Sequence, residues 1–330
     1  MGKTSILEAL TIALCDDDGN LLKNITKKNN LESAQMSVEV HEKDTNIIND
    51  TSNLDNFTRI KYISAYSAIR TFLSKSYDDS TIEETFFQEK PIMSNIEKKL
   101  TILDSNKELK PFLNLIIDLL KKLIPNLQDI KVEINEYHTG KYVRYKEKDN
   151  EDYMNFDKLA MGMKGIIGFI GDFLIKFTKD KAIKTTKDIE GIVIIDEFDN
   201  HLHPKWQKNL VQTLSELFPN VQFIVSTHSP IPLLGAPANT IILNVERNEQ
   251  DGIIVKKLDV DFSTLTPNAI LTSPIFGFDN IIPISKPNDE FVNTEDNYQK
   301  IVEKEKQRKE ITNYLSDEKT EKLLKLLDKE

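Results

Sequence analysis

Two adjacent acids close the apolar run GIVIIDE at 191–197. An apolar strand ending this way sets Asp196 and Glu197 at the carboxyl edge of a sheet, where ligands bind in α/β proteins. One such carboxylate would hold a magnesium ion, largely through water. Its neighbour would orient or deprotonate a water attacking a phosphate. Asp196 is expected in the first role and Glu197 in the second. The plainer alternative is a buried strand running into a polar turn, and the acids alone do not choose between the two.

A second apolar strand, VQFIVSTHSP at 221–230, ends in Thr227, His228, Ser229 and Pro230. A histidine at such an edge is either a hydrogen-bonded core residue or, beside a phosphate, a donor that senses its loss. One helical segment separates the two strands, so they are expected to lie adjacent and parallel with their ends together. At the other end of the sequence, MGKTSILEAL carries the close of the phosphate-loop pattern G-x-x-x-x-G-K-[ST] in Gly2, Lys3 and Thr4, with Ser5 behind them. In that pattern backbone amides wrap a triphosphate. Lys3 would reach the β- and γ-phosphates, Thr4 would bind Mg²⁺ and Ser5 would touch the α-phosphate. The first glycine of the pattern and a preceding strand do not appear, so Met1 is expected to fall inside the loop, as an internal codon or a truncation.

IVIIDEFDNHLHPKWQKNL and LFPNVQFIVSTHSP together resemble the Walker B, D-loop and switch-histidine region of ABC-type ATPases. The likeness is to SMC/RecF-like AAA-type ATP-binding proteins, which include the ATPase halves of OLD nucleases and of Septu and retron defence systems. It is strong over 155–245, good over 1–14 and thin elsewhere. The resemblance implies an ABC-type P-loop NTPase of the α/β class, with a mixed or parallel sheet flanked by helices. It also implies a homodimer that sandwiches ATP and Mg²⁺ between subunits, with Asp199 to His203 forming the D-loop that crosses to the partner.

The same resemblance sets FDKLAMGMKGIIGF (156–169) at the signature loop, usually Leu-Ser-x-Gly. Leu159 and Gly162 match, Ala160 stands in the serine's place, and Lys164 is available to compensate. Losing the serine hydroxyl removes a hydrogen bond to a charged group, about 1.5–3 kcal/mol, so slow hydrolysis is expected. An ordinary helix start is the alternative. YISAYSAIRTF (62–72) resembles the family's Tyr/Arg strand end, putting Arg70 near nucleotide or the dimer seam; a surface arginine is the alternative. His201 and His203 with His228 form a competing metal set, which no cysteine or third close ligand completes.

These residues need elements to position them. Apolar spacing predicts helices over 3–14, 112–124 (stopped at Pro125), 159–178 and 204–218. Strands are expected at 36–40, 61–69, 130–134, 141–145, 191–196 and 221–227, with a hairpin at 239–245 and 252–258. Strands alternating with helices indicate a parallel or mixed sheet. The expected organisation is a first part of the ATPase core at 1–73, an inserted helical lobe with a flap at 74–150, the second part of the core at 151–286 and a charged helical tail at 287–330.

The net charge of -10 argues against a broadly basic nucleic-acid binder, though not against a local basic groove. The longest apolar run, Gly165 to Ile175, is broken by Asp172 and too short to span a bilayer. No export signal opens the chain, and the lone Cys15 suits a reducing cytoplasm. The leading functional expectation is a nucleotide-switched ATPase whose output passes to a separate effector, such as a nuclease, or to DNA, in anti-phage defence. An OLD-like nuclease in the same chain is the second, with Asp259 and Asp261 of LDVD as its one acidic candidate. A scaffold that no longer hydrolyses ATP is the third.

Overall fold

The computed structural model describes residues 2–15, 36–41, 46–51, 60–76, 79–134, 140–179, 183–248, 252–258 and 265–273, with a few isolated positions besides. The chain divides into two compact units, Met1–Pro267 and Asn268–Glu330. Every element that positions the site lies in the first. The expected tail at 287–330 falls, but for Gln307, outside the described residues.

In chain order come helix α1 (Lys3–Cys15), the antiparallel hairpin β1 (Ser37–His41) and β2 (Asn46–Asp50), and strand β3 (Ile63–Tyr66). A single π-turn (Glu83–Phe87) precedes helices α2 (Ile96–Ser105) and α3 (Lys110–Leu123). The hairpin β4 (Leu127–Ile134) and β5 (Lys141–Glu147) leads to α4 (Met161–Phe177), β6 (Glu190–Ile195), α5 (Pro204–Leu217) and β7 (Asn220–Val225). A last hairpin joins β8 (Leu243–Asn248) to β9 (Gly252–Lys257).

The central sheet runs β3-β6-β7 with both pairings parallel, an arrangement of the α/β class. Alternation along β6 explains why its sequence is apolar from Ile192 to Ile195. Ile192 and Ile194 face a cluster with Leu7, Leu14, Ile63 and Ala65, whereas Val193 and Ile195 face one with Tyr66, Ile166, Phe173 and Leu214. Successive side chains of a strand point to opposite faces, so a strand covered on both needs apolar residues at every position. Helix α1 covers the first face and α4 helps cover the second.

The segment 74–150 contributes α2, α3 and the β4–β5 hairpin. Helix α3 buries Leu113, Ile116, Leu119, Leu120 and Leu123, an i, i+3, i+6, i+7, i+10 stripe. Each such side chain stabilises by roughly 1.5–3 kcal/mol on burial. Their cluster is continuous with α4 and with β6. Strand β3 is shorter than expected, because from Ser67 onward the chain leaves the sheet and pairs its N–H with the carbonyl of Thr85 instead (3.1 Å).

Candidate functional site

The parallel register brings three strand ends into line. The Asp196 N–H donates to the carbonyl of Tyr66 (2.8 Å), and the Ser226 N–H to that of Ile195 (2.9 Å). Asp196 and Ser226 therefore follow their strands at one edge. Asp196 is buried, and both carboxylate oxygens are engaged: Oδ2 accepts from the Thr4 hydroxyl at 2.7 Å, and Oδ1 from the Ser226 hydroxyl. The Ser226 hydroxyl in turn accepts from the Glu197 N–H (2.8 Å). Glu197 has φ +44° and His201 φ +61°, so the chain turns sharply straight after the strand. Such values are uncommon for residues other than glycine and mark a turn held by its surroundings.

Lys3 and Thr4 arrive from the start of α1. Gly2 precedes them with φ +103°, a conformation that favours glycine. The Lys3 ammonium donates to the Thr227 carbonyl at 2.7 Å and stands 3.4 Å from His228 Nδ1. Burial draws its pKa down, opposed by Asp199, Asp196 and Glu197. The first turn of α1 carries no acidic residue, and N–H groups there have no intrahelical acceptor, so this end suits an anion. Ser5 is exposed beside it.

The donor set fits Mg²⁺. A carboxylate and a hydroxyl are hard oxygen ligands, and Mg²⁺ takes one or two carboxylates plus phosphate oxygens and waters. Among the described residues no group of three or more His, Cys, Asp or Glu gathers to hold a metal alone. The competing histidine set is thus not assembled. His201 is exposed, and His203 caps α5, its Nδ1 accepting from the Lys205 N–H (3.3 Å).

The turn at 199–203, the expected D-loop, is fastened to the residues that follow β7. Asp199 accepts from the Thr227 hydroxyl, and Gln207 donates to the carbonyls of Asp199 (3.2 Å) and Leu202 (3.0 Å) while accepting from the Ser229 hydroxyl (3.0 Å). Of Leu159, Gly162 and Lys164, Gly162 meets this turn. A Cβ on Gly162 would lie 2.7 Å from the His201 carbonyl oxygen, so only glycine lets α4 begin this close. Leu159 is buried, and the Lys164 ammonium caps the Asp157 carbonyl (2.6 Å) within its own loop. Arg70 is not a surface residue: it is 6% exposed, with its guanidinium on backbone carbonyls behind Asp196.

Sequence reasoning passed over Ser226 and Gln207. A small polar residue ending an apolar strand was the signal for Ser226; an unremarkable helical glutamine gave none. Asp259 and Asp261 lie outside the described residues.

Residues 89–231 match the family described as "AAA domain, putative AbiEii toxin, Type IV TA system". The chain is 34% identical over 131 residues to the Septu protein PtuA of Bacillus mycoides (strain KBAB4), covering 40% of this chain and 18% of that protein. It is 28% identical over 240 residues to the "Retron Vc95 probable ATPase" of Vibrio cholerae serotype O1 biovar El Tor, covering 68% and 42%. With the "Retron Ec83 probable ATPase" of Escherichia coli it shares 45% over 74 residues, 22% and 14% of the two chains. The matches thus span less than half of each relative's length. The SMC head domain from Thermotoga maritima has a TM-score of 0.40 at 12% identity over 70% of this chain and 76% of that one, a likeness too distant to carry weight. Family match, relatives and the meeting of Thr4 with Asp196 point the same way: the chain is similar to AAA-type ATPase domains, with the family likeness carried by residues 89–231.

Proposed function

We propose that this chain binds ATP with Mg²⁺ and hydrolyses it, that two copies enclose the nucleotide, and that the cycle drives an effector or a DNA-linked step, in defence against phage. The observation that carries the reading is the Thr4–Asp196 contact: side chains 192 residues apart meet at 2.7 Å, beside a lysine that reaches the switch histidine's loop.

In this reading Lys3 exchanges the Thr227 carbonyl for β- and γ-phosphate oxygens, and the first-turn amides of α1 and the Ser5 hydroxyl take up others. Thr4 and Asp196 would hold Mg²⁺, which supplies neutralising charge to the phosphates. Glu197, at the turn beyond Asp196, orients the attacking water and accepts its proton. His228 donates to the terminal phosphate. Asp199 with Leu159, Gly162 and Lys164 faces the partner's nucleotide. Exposed apolar side chains support that face. Ile69 and Phe72 flank the Arg70 loop, which adjoins the D-loop through a 3.3 Å bond from Asn200 Nδ2 to the Ala68 carbonyl, and Met161 opens α4 beside it. The Septu and retron names of the relatives support the effector and defence assignments. The single buried cysteine fits a cytoplasmic setting, and no helix among the described residues is long and apolar enough to cross a membrane.

The test is Glu197→Gln in the full chain. It should keep ATP affinity within a few-fold, lower turnover at least a hundredfold and raise the dimer fraction with ATP on size-exclusion chromatography. His228→Ala should lower turnover at unchanged melting temperature. Wild-type turnover in Glu197→Gln would refute the assignment.

A further inference from the structure

We infer that Arg70 is a positioning residue that fixes the direction of Glu197 by gathering the carbonyls of its turn; the inference rests on the role proposed above for Glu197. The guanidinium donates through one terminal nitrogen to the carbonyls of Ser67 (2.7 Å) and Asp196 (2.8 Å). Through the other it donates to those of Glu197 (3.2 Å) and Phe198 (3.3 Å). Three of these acceptors are consecutive. Consecutive carbonyls converge on one point only if the chain curls, and the curl is present in the positive φ of Glu197.

The carbonyl oxygens of such a turn crowd together, and a buried cation between them offsets their repulsion. The Glu197 peptide is therefore held on both sides, its N–H by the Ser226 hydroxyl and its C=O by Arg70. With both fixed, the Cα–Cβ bond of Glu197 has one direction. Arginine suits the task because its planar fork presents several donors at set angles, whereas a lysine ammonium is a single point. Burial draws the Arg70 pKa down to about 10, against the pull of Asp196, Asp199 and Glu197, so the cation persists at neutral pH. The Arg70 backbone is seated as well: a Cβ on Gly168 of α4 would come within 2.7 Å of its carbonyl oxygen.

Nothing in this arrangement gives Arg70 a contact with residues 2–5, so its removal should spare nucleotide binding and impair the step that uses Glu197. The experiment compares Arg70→Lys and Arg70→Ala with wild type in the full chain by steady-state turnover, binding of a fluorescent ATP analogue, and hydrogen exchange of peptides covering 196–203. The expected result is a kcat lowered at least tenfold in both, with the nucleotide Kd changed less than threefold. Added guanidinium ion should raise the kcat of Arg70→Ala at least fivefold. Exchange over 196–203 should quicken tenfold while β3, β6 and β7 stay protected. If Arg70→Ala does not fold, Arg70→Lys carries the comparison. Gly168→Ala, which displaces the Arg70 backbone with the guanidinium intact, should then quicken exchange in the same peptides. Unchanged kcat, or exchange over 196–203 equal to wild type, would overturn the inference. If wild type turns over no ATP, the proposed activity fails, and the exchange measurement still decides the role of Arg70.

Discussion

Asp172 is fully buried in an otherwise apolar stretch of α4, and the fold spends an unusual number of donors on it. Its Oδ1 accepts from the Ser80 hydroxyl, the Ser94 N–H (2.8 Å) and the Ser94 hydroxyl (2.6 Å). Its Oδ2 accepts from the Tyr66 hydroxyl (2.7 Å) and pairs with the Lys176 ammonium at 2.8 Å. In Asp172→Asn the amide oxygen keeps the serine side, which has most donors, and the amide NH₂ faces Tyr66 and Lys176. The tyrosine hydroxyl can turn to accept; the ammonium has no lone pair to offer. A buried cation is left unpaired, and breaking a buried ion pair in this way costs about 3–5 kcal/mol. Since the neutral bonds to Ser80 and Ser94 survive, we expect the lower end, about 3 kcal/mol. At roughly 2–4 °C per kcal/mol for a domain of this size, the melting temperature should fall by about 6–12 °C.

The same group predicts a pH dependence. Burial raises the Asp172 pKa, but Lys176, Ser80 and Ser94 outweigh it and hold the carboxyl below its usual range. A depressed native pKa means that the unfolded chain binds the extra proton first. The contribution of Asp172 is therefore fully present above about pH 4 and is lost as pH falls below it. Urea melts of wild type, Asp172→Asn, Lys176→Met and the double variant should give a coupling of about 2 kcal/mol or more at pH 7. That coupling should shrink toward pH 3. Loss of less than 1 kcal/mol in Asp172→Asn, or a coupling indistinguishable from zero, would refute the reasoning.

Ser226→Ala removes a bond to the Asp196 carboxylate and leaves the Glu197 N–H unpaired. Thermal melts should show a loss of about 2–4 kcal/mol, and titration with Mg²⁺-ATP should show weaker metal dependence. Within α4, Gly162→Ala should destabilise by about 1–3 kcal/mol, because its Cβ would meet the His201 carbonyl at 2.7 Å. Gly165→Ala, with nothing within 4 Å of the new Cβ, should instead stabilise by roughly 0.5–1 kcal/mol. Denaturant melts followed by the single tryptophan, Trp206, separate the two.

The places of the two acids, the histidine and the lysine-threonine pair beside element ends were legible in the sequence, because apolar periodicity marks where an element starts or stops. Strand β6 needed apolar residues on both faces, so its end at Asp196 was unmistakable. The helix at 159–178 and that at 204–218 were found within two residues, for the same reason. What periodicity cannot show is which polar side chains from distant segments meet. Asp172 could be read only as an interruption of an apolar run, because its partners come from Tyr66, Ser80 and Ser94. Arg70 could be read as lying near nucleotide or the dimer seam, or else as a surface residue. Neither reading anticipates a cation whose partners are backbone carbonyls, since backbone acceptors leave no trace in residue identity. Gly162 illustrates the converse: its place was expected from a motif, and the structure supplies a packing reason, the close approach of His201.

The loop at 227–229 and the turn at 199–203 are tied twice, by Thr227 to Asp199 and by Ser229 through Gln207 to the carbonyls of Asp199 and Leu202. A shift at His228 must therefore carry Asp199 with it or break one of these bonds. Each neutral bond contributes about 0.5–1.5 kcal/mol, and the one to the Asp199 carboxylate about 1.5–3 kcal/mol. Coupling between two sites needs a differential of only about 1–3 kcal/mol. The carboxylate tie falls in that range and the neutral one overlaps it. In the middle of the same turn the His201 carbonyl lies against Gly162, where a Cβ would come within 2.7 Å of it. The polar ties at Asp199 and Leu202 thus flank His201, the left-handed residue that lies against Gly162.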